Sequence, residues 1–141
     1  MNPALLADIV VAFHLLYVAF AVGGEVVILV GGLLRWSWVR NLPFRIIHLI
    51  AVVFVAFESM AGILCPLTEW EHRLRIAAGQ HVEEDITFVG QLIRSIIFYD
   101  FPPVFFTFLY VGFGLLVVAT FVFIPPRRIL PRRKKGRRRH R

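Results

Sequence analysis

The chain has 141 residues and a mass of 16.2 kDa, the length of a single domain. Apolar residues make up 58%, charged residues 18%, and the mean hydropathy is +0.73. That is more apolar surface than a globule of this size can hide, which excludes water as the main solvent. The single cysteine, Cys65, excludes an internal disulfide framework.

The first element is an apolar run over residues 9–34, long enough to cross a hydrocarbon core of about 30 Å as a helix. No Lys or Arg precedes it, and it far exceeds the apolar region of a secretory signal. Ala19-Phe20-Ala21 would pass as a cleavage triplet, so a removed signal is the alternative to the retained span read here. Ala19-x-x-x-Gly23, Gly23-Gly24 and Gly31-Gly32 offer small faces for close helix approach, within the chain or to a second copy. Trp36 and Trp38 mark one membrane interface, Trp70 and Tyr99 the other.

A second span covers residues 44–64. Thr68-Glu69-Trp70-Glu71 then has the form of a capping box, with Thr68 as cap and Glu71 reaching back. It predicts an amphipathic helix over 67–78, supported by the i,i+4 pairs Glu69–Arg73 and Glu71–Arg75 and stopped by Gly79. A second amphipathic pattern over 86–99 reaches only about 21 Å, short for a span, and is read as lying at the interface or against the bundle. Pro102-Pro103 opens the last span, residues 104–124. Its phenylalanines (Phe105, Phe106, Phe108, Phe113, Phe121, Phe123) point around the helix and are expected to face lipid.

Charge parity decides the number of crossings. Arg35, Arg40 and Arg45 flank the first hairpin, and residues 127–141 carry ten basic residues and no acid, Arg127, Arg128, Arg132, Arg133, Lys134 and Lys135 among them; all nine named residues are expected at lipid headgroups, where they fix topology. The segment 65–103 holds six acids against three arginines. The positive-inside rule puts both basic regions in the cytoplasm, which needs three spans with the N-terminus outside. The expectation is an all-α integral membrane bundle of three spans plus two short amphipathic helices, or a four-helix bundle if 86–99 packs in. Residues 1–126 form the domain and 127–141 a disordered cytoplasmic tail that meets anionic lipid headgroups. Nucleic acid is not the expected partner, because no aromatic residue interleaves with the basic run.

Ionisable groups within the spans are costly and mark candidate function. They are His14 and Glu25 in the first span, and Arg45, His48 and Glu58 in the second. A hairpin centred near Val39-Arg40 puts Glu58 level with Ala21, His14 with Cys65 and His48 with Gly31. The two histidines then stand about 25 Å apart along the normal, too far to share a haem. At the outer boundary His14, Glu58, Cys65, Glu71, His72 and Asp100 gather. They read either as a small polar site, metal-binding or proton-handling, or as a hydrogen-bonded junction in which Glu71 and Asp100 cap and Cys65 packs. His48 and Glu25 form a second intramembrane candidate. No spacing matches a zinc signature. No catalytic residue is assigned, and neither a metal nor a haem is expected.

Asp8 with His14, Trp38-Val39-Arg40-Asn41 followed by Phe44-Arg45 and His48, Cys65-Pro66-Leu67-Thr68 with Glu71, and Phe98-Tyr99-Asp100 before Pro102-Pro103 carry a resemblance. Over about residues 8–127 the chain resembles the small bacterial membrane proteins grouped as domain of unknown function 2784. The resemblance implies a bacterial integral membrane protein and no particular reaction. The expected function is that of a small inner-membrane accessory or assembly subunit. The alternative is a redox or proton-handling component using the outer cluster with a metal or haem.

Overall fold

The computed structural model describes residues 1–82, 88–97, 99 and 101–127. Its helices are α1 (Pro3–Leu33), α2 (Leu42–Met60), α3 (Pro66–Ala77), α4 (Phe88–Ile97) and α5 (Pro103–Phe123), with a single 3-10 turn at Trp38–Arg40. No strand occurs among the described residues. Asp100 and the basic residues from Arg128 onward, including Arg132, Arg133, Lys134 and Lys135, lie outside them, as do residues 86, 87 and 98 of the second amphipathic pattern.

α1 starts six residues before the expected span because Asn2 and Pro3 found it. The Ala4 amide donates to Asn2 Oδ1 at 3.0 Å, and Pro3 occupies the first turn, where its missing amide costs nothing. Its 31 residues reach about 46 Å, more than a hydrocarbon core. Three helices end in the same way, with a left-handed residue just past the cap and the next amide folded back. Gly62 (φ +67°) stops α2 at Met60, earlier than expected, with Ile63 N–H donating to Glu58 O at 3.0 Å. Gly79 (φ +75°) stops α3, with Gln80 N–H donating to Arg75 O at 2.9 Å. At the end of α1 the same position falls to Arg35 (φ +58°), and Trp36 N–H donates to Gly31 O at 2.8 Å.

The capping box does not form. Pro66, with its fixed φ, opens α3 two residues before Thr68, so Cys65 is the N-cap and Thr68 the third helical residue, 1% exposed. Glu71 instead accepts from Arg75 Nε at 2.8 Å, and Glu69 pairs with Arg73, as the i,i+4 spacing predicts.

α1, α2 and α5 are each long and apolar enough to cross a membrane. The ten residues of α4 reach only about 15 Å and are too short. α3 lies along the N-terminal half of α1, α2 packs against α5, and α1 and α5 barely touch. Arg127 N–H donates to Arg40 O at 2.8 Å. The first hairpin and the end of α5 therefore share one end of the bundle, as an odd number of crossings requires.

The hairpin register differs from the expected one. Tyr17 Oη donates to Ala51 O at 2.6 Å and His48 Nε2 to Ala21 O at 2.8 Å, so the reversal is centred near Leu34-Arg35. The left-handed turn at Arg35 reverses the chain, and the 3-10 turn that follows folds Val39 back beneath Gly31. His48 thus lies level with Ala21, not Gly31, and Glu58 lies within about a turn of His14. The lipid-facing assignment of the α5 phenylalanines also fails in part. Phe108 and Phe123 are exposed, but Phe106 is buried, Phe113 is half-buried, and Phe121 lies under the Arg45 guanidinium at 5.5 Å.

Candidate functional site

The buried ionisable groups fall into two clusters at different levels of the bundle. The inner one joins Glu25 of α1 to Arg45 and His48, one turn apart on α2. His48 donates through Nε2 to Ala21 O and turns Nδ1 toward Glu25 Oε2 at 3.9 Å. Gly24 makes room for this ring, since a Cβ there would stand 2.7 Å from His48 Cδ2. Arg45, expected at the headgroups, is 2% exposed and reaches across to α5. Its Nη2 donates to Thr120 O at 2.7 Å and Ile124 O at 3.2 Å. These carbonyls belong to the C-terminal end of α5, where Thr120 O also accepts from Ile124 N–H and a cation meets the negative end of the helix dipole. Neither oxygen of Glu25 has a hydrogen-bond partner among the described residues, and the Arg45 guanidinium is the cation beside it. The candidate pair His48 and Glu25 is thus brought together, with Arg45 as its third member.

The outer cluster surrounds a cavity of about 540 Å³ between α1, α2, α5 and the start of α3. His14, Glu58 and Cys65 line it together, so three of the six residues expected to gather there do so. Tyr17, Thr68, Thr107 and Tyr110 add polar groups, and Val52, Phe106 and Phe113 supply apolar wall. Glu58 is buried, and its Oε2 has no hydrogen-bond partner among the described residues. Burial pushes the Cys65 thiol above its ordinary pKa, against the opposing pull of the Leu67 and Thr68 amides.

Glu71 does not line this cavity. It lies on another side of α3, near enough for its charge to act on His14, and with His72 and Arg75 lines a second, more polar hollow of about 650 Å³. The Glu71 hydrogen bond holds the Arg75 guanidinium above its ordinary pKa despite partial burial. Arg75 also reaches Asp8 at 3.3 Å, tying α3 to the first turns of α1. His72 Nε2 meets the Gln91 amide of α4 at 3.4 Å. Asp100 lies outside the described residues. Among those residues, no group of three or more His, Cys, Asp or Glu side chains could hold a metal ion.

With His48 level with Ala21, the two histidines stand about 10 Å apart along α1, closer than expected and still too far to flank one iron. Sequence reasoning missed Tyr17, Thr107 and Tyr110. Tyr17 could have been found, since it follows His14 by three residues on the same helix face and sits within a span, away from the interfacial belts. Of the arginines expected at the headgroups, Arg35 and Arg127 are exposed and Arg40 is half-buried.

The family described as Protein of Unknown function (DUF2784) matches residues 4–126, and the chain belongs to it. Comparison with curated proteins and with solved structures returns no match.

Proposed function

We propose, with membership of that family as the premise, that the chain is a small integral protein of the bacterial cytoplasmic membrane that works as an accessory or assembly subunit, without catalysis of its own. In this reading the N-terminus is outside and the basic tail inside. Ten basic residues after position 126 and the meeting of Arg40 with Arg127 at one end support that sidedness, by the positive-inside rule. Anionic lipid is the tail's partner, at about 1 kcal/mol for each basic residue near the surface.

One observation carries the accessory reading. Arg45 and His48 bind backbone carbonyls of α5 and α1, so two of the most deeply buried polar groups hold the spans to one another. Outside these ties the flanks are apolar, with Leu16, Ile50, Phe108 and Val122 exposed. Gly23 and Gly112 leave open space where a second helix, from another copy or a partner, could approach. Native gel electrophoresis of the tagged chain in mild detergent tests this. A discrete assembly above monomer mass, lost on Gly23→Leu or Gly112→Leu, is expected. A monomer under all mild conditions overturns the accessory role, and a periplasmic signal from a reporter fused after Arg141 overturns the sidedness.

A redox or proton-handling role with a metal or haem is the competing reading, supported by carboxyl oxygens of Glu25 and Glu58 that have no hydrogen-bond partner among the described residues. A Soret band or stoichiometric metal in protein purified from native membranes would replace the accessory reading with it.

A further inference from the structure

The outer cavity has a size and a lining that the accessory reading does not use. Its volume of about 540 Å³ falls within the 300–1,000 Å³ or so of sites that take a whole small molecule, and its construction is also theirs: mostly apolar wall with a few convergent polar groups. The apolar part comes from α2 and α5, through Val52, Phe106 and Phe113. Among its lining residues Val22 of α1 and Leu109 of α5 are exposed within the spans, so the cavity is open between these helices at the level of acyl chains, as well as at Ile63 on its outer end.

The polar part is one-sided in charge. Glu58 contributes a carboxylate that is 7% exposed, with Oε2 unpartnered among the described residues. No Lys or Arg among the described residues lines the cavity. A buried acceptor without a donor is costly, and a ligand that supplies the donor removes that cost. A phosphate or carboxylate head would therefore enter beside Glu58 with no cationic side chain to pair with it. His14, Thr68 and Thr107 lie around the same space and offer donors to a ligand oxygen.

We infer that this cavity is a binding site for an uncharged, lipid-soluble alcohol. Its hydroxyl donates to Glu58, and its chain lies against Phe106 and Phe113 toward the opening beside Val22. The inference is independent of the accessory role, because a chain that binds the alcohol need not assemble, and an assembling chain need not bind it.

The test uses the full chain in nanodiscs and a long-chain alcohol bearing a diazirine and an alkyne, with the matching alkyl phosphate in parallel. Illumination followed by peptide mapping should place saturable label on residues 52–64 and 103–113 from the alcohol, and little from the phosphate. Competition by an unlabelled straight-chain alcohol or by an isoprenoid alcohol tells the two sources apart. Glu58→Leu should lower saturable labelling about tenfold, the cost of losing one hydrogen bond to a charged group. Val22→Trp narrows the mouth without touching Glu58 and should have a similar effect, which keeps the test decisive if Glu58→Leu fails to fold. The inference is overturned if the phosphate labels as well as the alcohol. It is also overturned if both folded variants label like the wild type, or if label spreads without saturation over outward residues such as Phe108 and Val122.

Discussion

Replacing Arg45 with methionine removes two hydrogen bonds from a charged donor, to Thr120 O and Ile124 O, and the contact with the Phe121 ring. Each such bond contributes about 1.5–3 kcal/mol, so the gross loss is about 3–6 kcal/mol. Part of it is offset, because a buried cation no longer has to be desolvated. A net loss of about 3 kcal/mol is expected, roughly a hundredfold in the unfolding equilibrium. Much of the damage comes from leaving the Glu25 carboxylate with only His48 beside it, at 3.9 Å. Glu25→Gln in the same chain removes that stranded charge and should recover about 1–2 kcal/mol, so the two losses are not additive. Arg45→Lys keeps the charge but not the fork that reaches two carbonyls, and should fall between wild type and Arg45→Met. Unfolding by SDS in mixed micelles, followed through tryptophan fluorescence, measures all five proteins, Glu25→Gln alone included. If Arg45→Met stays within about 0.5 kcal/mol of wild type, or the double variant loses the sum of the single losses, the cluster is not the tie described here.

Gly24→Ala should cost about 1–3 kcal/mol in the same assay, because the new methyl displaces the His48 ring that it would approach to 2.7 Å. An unchanged midpoint would mean that the ring moves freely. Arg35→Gly should stabilise the chain by up to about 1 kcal/mol, since Arg35 holds a left-handed conformation at φ +58°. A loss of stability would show that the arginine side chain outweighs its backbone strain. The Cys65 thiol, raised by burial, presents little thiolate near neutrality, and thiolate is the reactive form. Its alkylation by an impermeant maleimide should be slower than that of free cysteine at about pH 7.5 and still be rising above about pH 9. A plateau below about pH 8 would contradict the burial.

Span positions were legible because composition alone specifies them, and the stops were legible where glycine supplies the left-handed residue, as at Gly79. The rotation of each helix was not. In water an apolar stripe reveals which face turns inward, but α1 and α5 are apolar all round, and the bilayer removes the contrast between inside and outside. Phe106, Phe113 and Phe121 look no different in sequence from Phe108, yet they face the cavity or Arg45. The hairpin register was hidden for a more local reason. Nothing in the sequence marks Arg35 as a residue that adopts a glycine's conformation, and that turn moves the level of every residue on α2. The outer cluster was therefore found by residue type while its vertical arrangement was not. Arg45 was read as a headgroup arginine because basic residues near a hairpin usually are.

The difference between the two clusters follows from how α1 divides its length. Near the hairpin, Gly31 admits Val39 and Gly32 admits Ile124, so α1 and both neighbouring spans close together. Arg45 and His48 in that half find carbonyl partners within the chain. In the outer half α1 is held by α3 instead, with Ala7, Val10 and His14 buried on one side and Thr68, Glu71 and His72 on the other. The Asp8–Arg75 pair fixes this alignment from the exposed edge. Because α1 follows α3 there, it stands away from α5, and the space between them is the cavity. Glu58 faces that space without the cation that Glu25 has in Arg45. One helix shared between two partners therefore accounts both for the closed inner junction and for the open outer one, and it makes the outer carboxylate the group left to meet something from outside the chain.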